Sequence, residues 1–282
     1  MKGHLDIAHK GTLGDDNRTR MSFDENSLAH LMSVLTDLYS DPEMAVIREY
    51  STNARDSHVE AGNADRPIEV TTPSYLNPTL IIRDFGIGMD QHDIEATYSK
   101  YGASTKRNTN ELQGMLGLGS KSGLAYTSQF TVVARKAGVK TTALVTREGD
   151  GAGTIQVVST SLITEPNGVE VRIPIANVYS VRAKIVQFFR YWEAGTVLVD
   201  GEAPYCLWTD PKNMHLDPDV LLVDREIHDR HGDVIVMGGV AYPIPHRLKI
   251  GSTPGVRTMD VVGRVPIGTI NSEKARILSI GY

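Results

Sequence analysis

The chain has 282 residues, 40% of them hydrophobic and 22% charged, which excludes a small single-core module and predicts one large or two ordinary domains. A formal net charge of -5 excludes the strongly basic field of a nucleic-acid grip, and the single cysteine, Cys206, excludes an internal disulfide or a cysteine-built metal site. No stretch reaches the roughly 20 apolar residues of a membrane span and the N-terminal segment has no apolar signal core, so a cytoplasmic setting is expected.

From the N-terminus, residues 1–22 are polar and glycine-containing and read as an arm. Leu28, Leu31, Met32, Leu35 and Leu38 recur at helical spacing behind Asp24 as N-cap. Ser40-Asp41-Pro42 ends that helix and opens a second, which runs through Ala45, Val46 and Ile47 to Val59 and stops at Gly62. Strands are expected at 68–72 and 79–83 around a 73–78 turn, at 129–135 and 141–146 joined through Ala137-Gly138, and at 155–160 and 169–174. Val181, Ile185, Phe188, Phe189 and Trp192 form one apolar helical face closed by Gly195, and this helix seals a domain over 23–195. Short strand candidates at 197–199, 220–223, 234–237 and 260–262, with a hairpin turn at 229–233, predict a smaller β-rich second domain over 196–282. The basic residues His246, Arg247, Lys249, Arg257 and Arg264 suit a solvated loop face better than a phosphate track.

Three stretches carry chemistry. Glu49, Asn53 and Asp56 stand at i, i+4 and i+7 of the second helix and share one face, an arrangement that a solvated polar stripe would also produce. Asp84-Phe85-Gly86-Ile87-Gly88-Met89 follows the strand ending at Arg83. There a carboxylate can accept a hydrogen bond from the exocyclic amine of adenine, where guanine would present an oxygen, and Gly86 and Gly88 let the backbone approach a flat ligand. Gly114, Gly117 and Gly119, with Leu118 among them, precede Ser120 and Lys121 and can turn successive N–H groups onto an anion ahead of a helix. A P-loop would need lysine where Ser120 stands, and the dinucleotide fingerprint fails because Gly117 and Gly119 lead to Ser122.

In order and spacing, E-x-x-x-N-x-x-D on a helix at 49–56, D-x-G-x-G-M after a strand at 84–89 and G-x-x-G-x-G before a helix at 114–119 resemble the GHKL superfamily. That group comprises gyrase, heat-shock chaperones of the ninety-kilodalton class, histidine kinases and MutL. Residues 38–41 and 47–54 look like the chaperone's approach to its ATP helix, and Thr105-Lys106 sits where its lid begins. Residues 98–106 with 117–126 also look like phage proteins of the rIIA type. The resemblance implies an α+β Bergerat fold, a mixed and largely antiparallel sheet with helices on one face, followed by a transducer-like second domain. It also implies ATP with Mg2+ as the ligands. Glu49 would be the general base, Asn53 the magnesium ligand and Asp84 the adenine acceptor. Gly86 and Gly88 would give the base room, Met89 would pack on it, and Asp56 and Asp93 would act through water at the rim. Gly114, Gly117, Leu118 and Gly119 would cradle the phosphates under a lid spanning 96–118. Thr105, Lys106 and Lys121 would belong to the phosphate end, although Lys121 reads equally as an exposed helix-end lysine.

One departure stands out from the family pattern. Relatives carry a Gly-Thr pair on a late strand whose hydroxyl supports the adenine-binding acid, whereas Gly168 is followed here by Val169. The basic residue for the γ-phosphate is unplaced, with Lys274 and Arg276 as candidates, and the chain is expected to be a piece of a longer protein. The resemblance implies a slow, Mg-dependent ATPase used as a conformational clamp, with an ATP-dependent homodimer strapped by residues 1–22 and an unidentified protein partner. The alternative is a nucleotide-gated binding module without significant hydrolysis. A histidine kinase is not expected, because His30 has no acidic residue after it, and a complete topoisomerase has no room for a cleavage domain.

Overall fold

The computed structural model describes residues 41–99, 122–147, 153–226, 228, 232–244, 259–267 and 269. Its first helix, α1 (Pro42–Glu60), starts because the Asp41 side chain accepts the Met44 N–H at 3.0 Å and Pro42 occupies the first turn, where no N–H is needed. It ends at Ala61, and Gly62 supplies the left-handed turn with φ 72°. Lys184 holds that same N-terminus from a second long helix, 2.6 Å from Asp41 and 2.9 Å from Glu43.

Seven strands form the main sheet in the order β5-β4-β3-β6-β2-β1-β7. They are β1 (Ile68–Thr71), β2 (Thr79–Arg83), β3 (Gln129–Lys136), β4 (Val139–Arg147), β5 (Gly153–Leu162), β6 (Gly168–Pro174) and β7 (Val197–Val199). Every pairing is antiparallel except β1 with β7. The β3–β4 hairpin closes through Ala137 (φ 51°) and Gly138 (φ 77°), the two consecutive positive-φ residues whose twist matches that of the flanking strands. Ile68, Val70, Leu80, Ile82, Phe130, Val132, Ala134, Ala143, Val145, Val171 and Ile173 are buried in one core cluster with α1 and the helix α4 (Val178–Phe189). Two shorter helices, α2 (Gln91–Ser99) and α3 (Ser122–Tyr126), lie against β4–β5 and against α1 and β3, and Ile94 and Leu124 join that cluster. The fold is α+β, with the large and mostly antiparallel sheet expected from the sequence.

Polar residues on the strand positions between these core residues are tied together. Arg135 donates from Nε to Glu165 at 2.6 Å and also pairs with Glu170 at 3.3 Å, and Arg172 reaches Glu170 from β6 itself. Arg135 thereby holds the Glu165 carboxyl below the usual carboxylate range.

A second sheet, ordered β11-β10-β12-β9-β8, comprises β8 (Met214–Asp217), β9 (Val220–Asp224), β10 (Val234–Met237), β11 (Val240–Pro243) and β12 (Met259–Val265). Two sequence expectations change here. The strand at 197–199 belongs to the first sheet as its parallel edge, because β7 hydrogen-bonds β1. Strands 220–224 and 234–237 do not form a hairpin through 229–233, because β12 inserts between them, antiparallel to β9 and parallel to β10. Met237, Val240 and Tyr242 of the second sheet are packed into the core of the first, and Gly239 sits so close to the Trp192 indole that a Cβ there would lie 2.7 Å from its nitrogen. A buried chain of polar groups makes a further link: the Tyr191 hydroxyl meets His228 Nε2 at 2.8 Å, and His228 Nδ1 meets Asp260 at 3.1 Å.

Gly168, at φ 143°, is a tight point against the 84–89 turn, since a Cβ there would run into the Asp84 carbonyl oxygen. Gly168→Ala is expected to cost about 3 kcal/mol through steric overlap and a backbone angle that L-residues avoid. Urea unfolding should show this as a lower midpoint at unchanged slope.

Candidate active site

Residues of α1 supply one wall of the site. Glu49 is 3% exposed, and Arg48 donates from Nε to its Oε1 at 3.2 Å, so the carboxylate enters the protein interior with a charged partner. One turn on, Asn53 is half-buried and makes no side-chain hydrogen bond among the described residues. Tyr50, beside Glu49 in sequence, turns its ring onto Phe130 at 5.8 Å and accepts the Gly123 N–H at 3.1 Å. Tyr50 therefore couples the Glu49 helix to α3, the segment directly after the glycine-rich stretch.

The second wall is the turn after β2. Asp84 is 5% exposed; its Oδ1 accepts the Gly86 N–H at 2.9 Å, and its own N–H donates to the Val169 carbonyl at 2.8 Å. Val169 lacks the hydroxyl expected of this position, and supports Asp84 through its main chain. Gly86 and Gly88 are used by the protein itself: a Cβ on Gly86 would collide with Ser57 of α1, and one on Gly88, at φ 70°, with the Arg135 carbonyl of β3. Their absent side chains let the turn nest between α1 and the sheet. Ser57 Oγ accepts the Ile87 N–H at 3.2 Å, His58 Nε2 accepts the Phe85 N–H at 2.7 Å, and Asn63 Nδ2 donates to the Phe85 carbonyl at 3.1 Å. Two guanidinium groups lie over the Phe85 ring, Arg66 at 3.5 Å and Arg83 at 4.7 Å from its centre. Met89 is partly buried and packed on the main core.

Asp93 has local partners. It accepts the Asp90 N–H while Asp90 accepts the Asp93 N–H, a reciprocal cap at the start of α2, and Lys136 pairs with both acids. The backbone hydrogen bond from Asp93 holds the Asp90 carboxyl below its ordinary value, and the hydrogen bond to Asp93 raises that of Lys136. Asp56 is 2% exposed and faces elsewhere: with Arg55, Tyr191, Trp192, Glu193 and Arg264 it lines a cavity of about 410 Å3 between α1 and the second sheet. None of Glu49, Asn53, Asp84, Gly86, Gly88 or Met89 lines that cavity. Arg264 there pairs with Asp219 at 2.9 Å and Glu193 at 3.2 Å and covers the Trp208 ring at 4.5 Å, whereas His246, Arg247, Lys249 and Arg257 lie outside the described residues.

Residues 39–169 match the family model of the histidine kinase-, DNA gyrase B- and HSP90-like ATPases. These residues carry a GHKL-type ATPase domain. Among solved structures, the ATPase region of Saccharomyces cerevisiae topoisomerase II is similar to it with a TM-score of 0.50 at 10% identity, over 70% of this chain and 61% of that one. The same region bound to ICRF-187 (dexrazoxane) gives a TM-score of 0.48 at 12% identity, over 71% and 62%. These identities speak to fold alone, and this chain spans about three fifths of the length of either structure. No curated protein matches the chain.

Within the GHKL domain, Glu49, Asn53, Asp84, Gly86, Gly88 and Met89 fall on the helix and the turn just described. Thr105, Lys106, Gly114, Gly117, Leu118, Gly119 and Lys121 lie outside the described residues, as do the arm over 1–22, the helix after Asp24, most of the 96–118 lid, Lys274 and Arg276. No helix of the described residues is long and apolar enough to cross a membrane. Sequence reasoning missed Tyr50, Ser57, His58 and Asn63. Each bonds a backbone group far along the chain, and no local pattern announces such a partner.

Proposed function

We propose that this GHKL domain binds Mg-ATP and hydrolyses it slowly, serving as a nucleotide-driven clamp. The reading rests on Asp84, a carboxylate 5% exposed whose turn is anchored on three sides by α1, β6 and β3. A buried carboxylate in a fixed turn is suited to accept the adenine amine and to reject guanine, which offers an oxygen at that position. The residues present also fit a magnesium ion: Asn53 offers a half-buried amide oxygen with no hydrogen bond among the described residues, and Mg2+ takes few protein ligands, all oxygen. Bound there with the phosphates, Mg2+ would neutralise their developing charge.

Glu49 would take the proton of the attacking water, with Arg48 fixing the orientation of its carboxylate. Asp84 holds adenine, and Gly86 and Gly88 serve it by letting its turn nest between α1 and the sheet, with Met89 packed beside it on the core. Gly114, Gly117, Leu118 and Gly119 cradle the phosphates, and Thr105, Lys106 and Lys121 close over them with the lid. Asp56 and Asp93 act through their neighbours, Asp93 by capping α2 and Asp56 by facing the second sheet. The domain division is a GHKL unit over 23–195 with β7 added at its edge, and a transducer-like unit after it. Two protomers close on ATP with residues 1–22 as the strap, in a cytoplasmic setting, and the likeness to rIIA-type proteins gives a phage context. One observation favours a gated binding module without turnover: Arg48 already occupies Glu49 and competes with a water for it.

Calorimetry with ATP and GTP, each with and without Mg2+, tests the site. ATP should bind at least roughly tenfold more tightly than GTP. Equal affinities would remove Asp84 as the base-reading group. Light scattering with a non-hydrolysable ATP analogue tests the clamp, which predicts a doubled mass; an unchanged mass rejects it.

A further inference from the structure

His58 is a buried titratable group of this region that no part of the proposed chemistry uses. It is fully buried on α1, and both ring nitrogens are committed to backbone: Nδ1 lies 2.9 Å from the Arg66 carbonyl and Nε2 2.7 Å from the Phe85 nitrogen. A carbonyl can only accept and an amide N–H can only donate, so the imidazole is neutral, protonated on Nδ1 and bare on Nε2. The bond to Phe85 fixes the peptide immediately after Asp84, and the ring also lies 6.2 Å from that of Phe85.

We propose that His58 is a positioning residue for nucleotide binding, whose neutral Nδ1–H form holds the Asp84 turn in place and whose protonation releases it. This rests on the reading of Asp84 as the adenine acceptor. A proton added to Nε2 would set N–H against N–H at 2.7 Å, so the Phe85 bond breaks and the turn loses its tie to α1. Arg55 from α1 itself and Arg66 from the loop before β1 oppose that proton, while on the β2 side Arg83 and Asp84 flank Phe85 with charges of opposite sign. Burial, chiefly, and then these two arginines push the imidazole below its ordinary value of 6.5, the Arg66 carbonyl pulling the other way. The sign follows. A depressed folded value means the unfolded chain binds the proton first, so the contribution of His58 is fully present above about pH 6.5 and is lost as the pH falls through the lower folded value.

The test uses the whole chain and a non-hydrolysable ATP analogue, with affinity measured by calorimetry between pH 5 and pH 8. His58→Leu keeps the volume and removes the acceptor, and should weaken binding roughly tenfold at pH 8. His58→Gln restores an acceptor that cannot titrate, so it should recover most of the affinity and lose the acid-side fall specific to wild type. Ionisation of the nucleotide phosphates is common to both proteins and cancels in the comparison. Nitrogen-15 spectra of the wild-type ring, recorded without nucleotide, should show Nδ1 protonated at pH 7. A folded His58→Leu protein with wild-type affinity overturns the proposal, as does a wild-type pH profile in His58→Gln or a ring protonated on Nε2. If His58→Leu does not fold, the His58→Gln profile and the ring spectra decide. Wild type that binds no nucleotide at any pH sinks the reading of Asp84 and this inference with it, whereas wild type that binds while both variants behave like it sinks the inference alone.

Discussion

Glu49→Ala is expected to bind ATP with an affinity within about threefold of wild type while losing at least roughly 100-fold in turnover. Removing a general base withdraws an interaction made only while the water is being deprotonated, so the loss falls on the rate and spares binding. The effect on the protein itself is predictable as well. Glu49 is 3% exposed and Arg48 9%, so truncating the acid leaves a guanidinium in the interior without the carboxylate it donates to. This should destabilise the fold by about 1–3 kcal/mol, and Glu49→Gln, which retains an oxygen for Arg48, should be milder. Phosphate release measured beside calorimetric affinity separates the two effects. Equal phosphate release from wild type and Glu49→Ala would falsify the assignment of the base, and equally slow release from both favours the gated module.

Asp84→Asn should raise the dissociation constant for ATP by roughly 100-fold or more, to the point of abolishing measurable adenine binding. The carboxylate serves two donors at once in this reading, the Gly86 N–H at 2.9 Å and the exocyclic amine of the base. An amide has one oxygen and an NH2 group, so in either orientation one of those donors faces a donor or a weaker, uncharged acceptor. Losing a hydrogen bond to an ionised acceptor costs about 1.5–3 kcal/mol, roughly 10- to 150-fold at 1.4 kcal/mol per factor of ten, and a donor left facing a donor adds about 1–3 kcal/mol, which carries the loss past 100-fold. Unchanged calorimetric affinity in a folded Asp84→Asn protein would remove Asp84 from the site. The neighbouring Gly168→Ala variant differs in kind, because its collision is with the Asp84 carbonyl and its cost appears in stability.

Much of the architecture was legible before any coordinates, for reasons local to the chain. Pro42 after Asp41, Gly62 after the last buried turn and the Ala137-Gly138 pair are punctuation that acts within a few residues, and the structure places α1 and the β3–β4 hairpin there. The apolar face of Val181, Ile185, Phe188, Phe189 and Trp192 likewise appears as the buried side of α4 and its C-terminal turn. What misled was partnership at a distance. The run at 197–199 has the composition of a strand, but nothing in it says that it will pair with β1, more than a hundred residues earlier. The same holds for β12, which separates β9 from β10 only because a long excursion returns to the sheet.

Three acids, an amide and two glycine clusters, in their order and spacing, carried the resemblance to the superfamily and with it the expected α+β fold, because those residue types answer to a ligand's chemistry and keep their spacing on short elements. Tertiary structure alone decided which side chains hold the site together. Asp56 shares a helical face with Glu49 on paper, yet the second sheet closes over it and makes it part of a different cavity. Gly86 and Gly88 read as room for a ligand, and in the fold they are room for Ser57 and the Arg135 carbonyl. His58 reads as one more polar residue on α1, and becomes a support of the Asp84 turn because folding buries it between two backbone groups that demand opposite hydrogen-bonding roles. A sequence records donors and acceptors, but only packing excludes the water that would otherwise satisfy them.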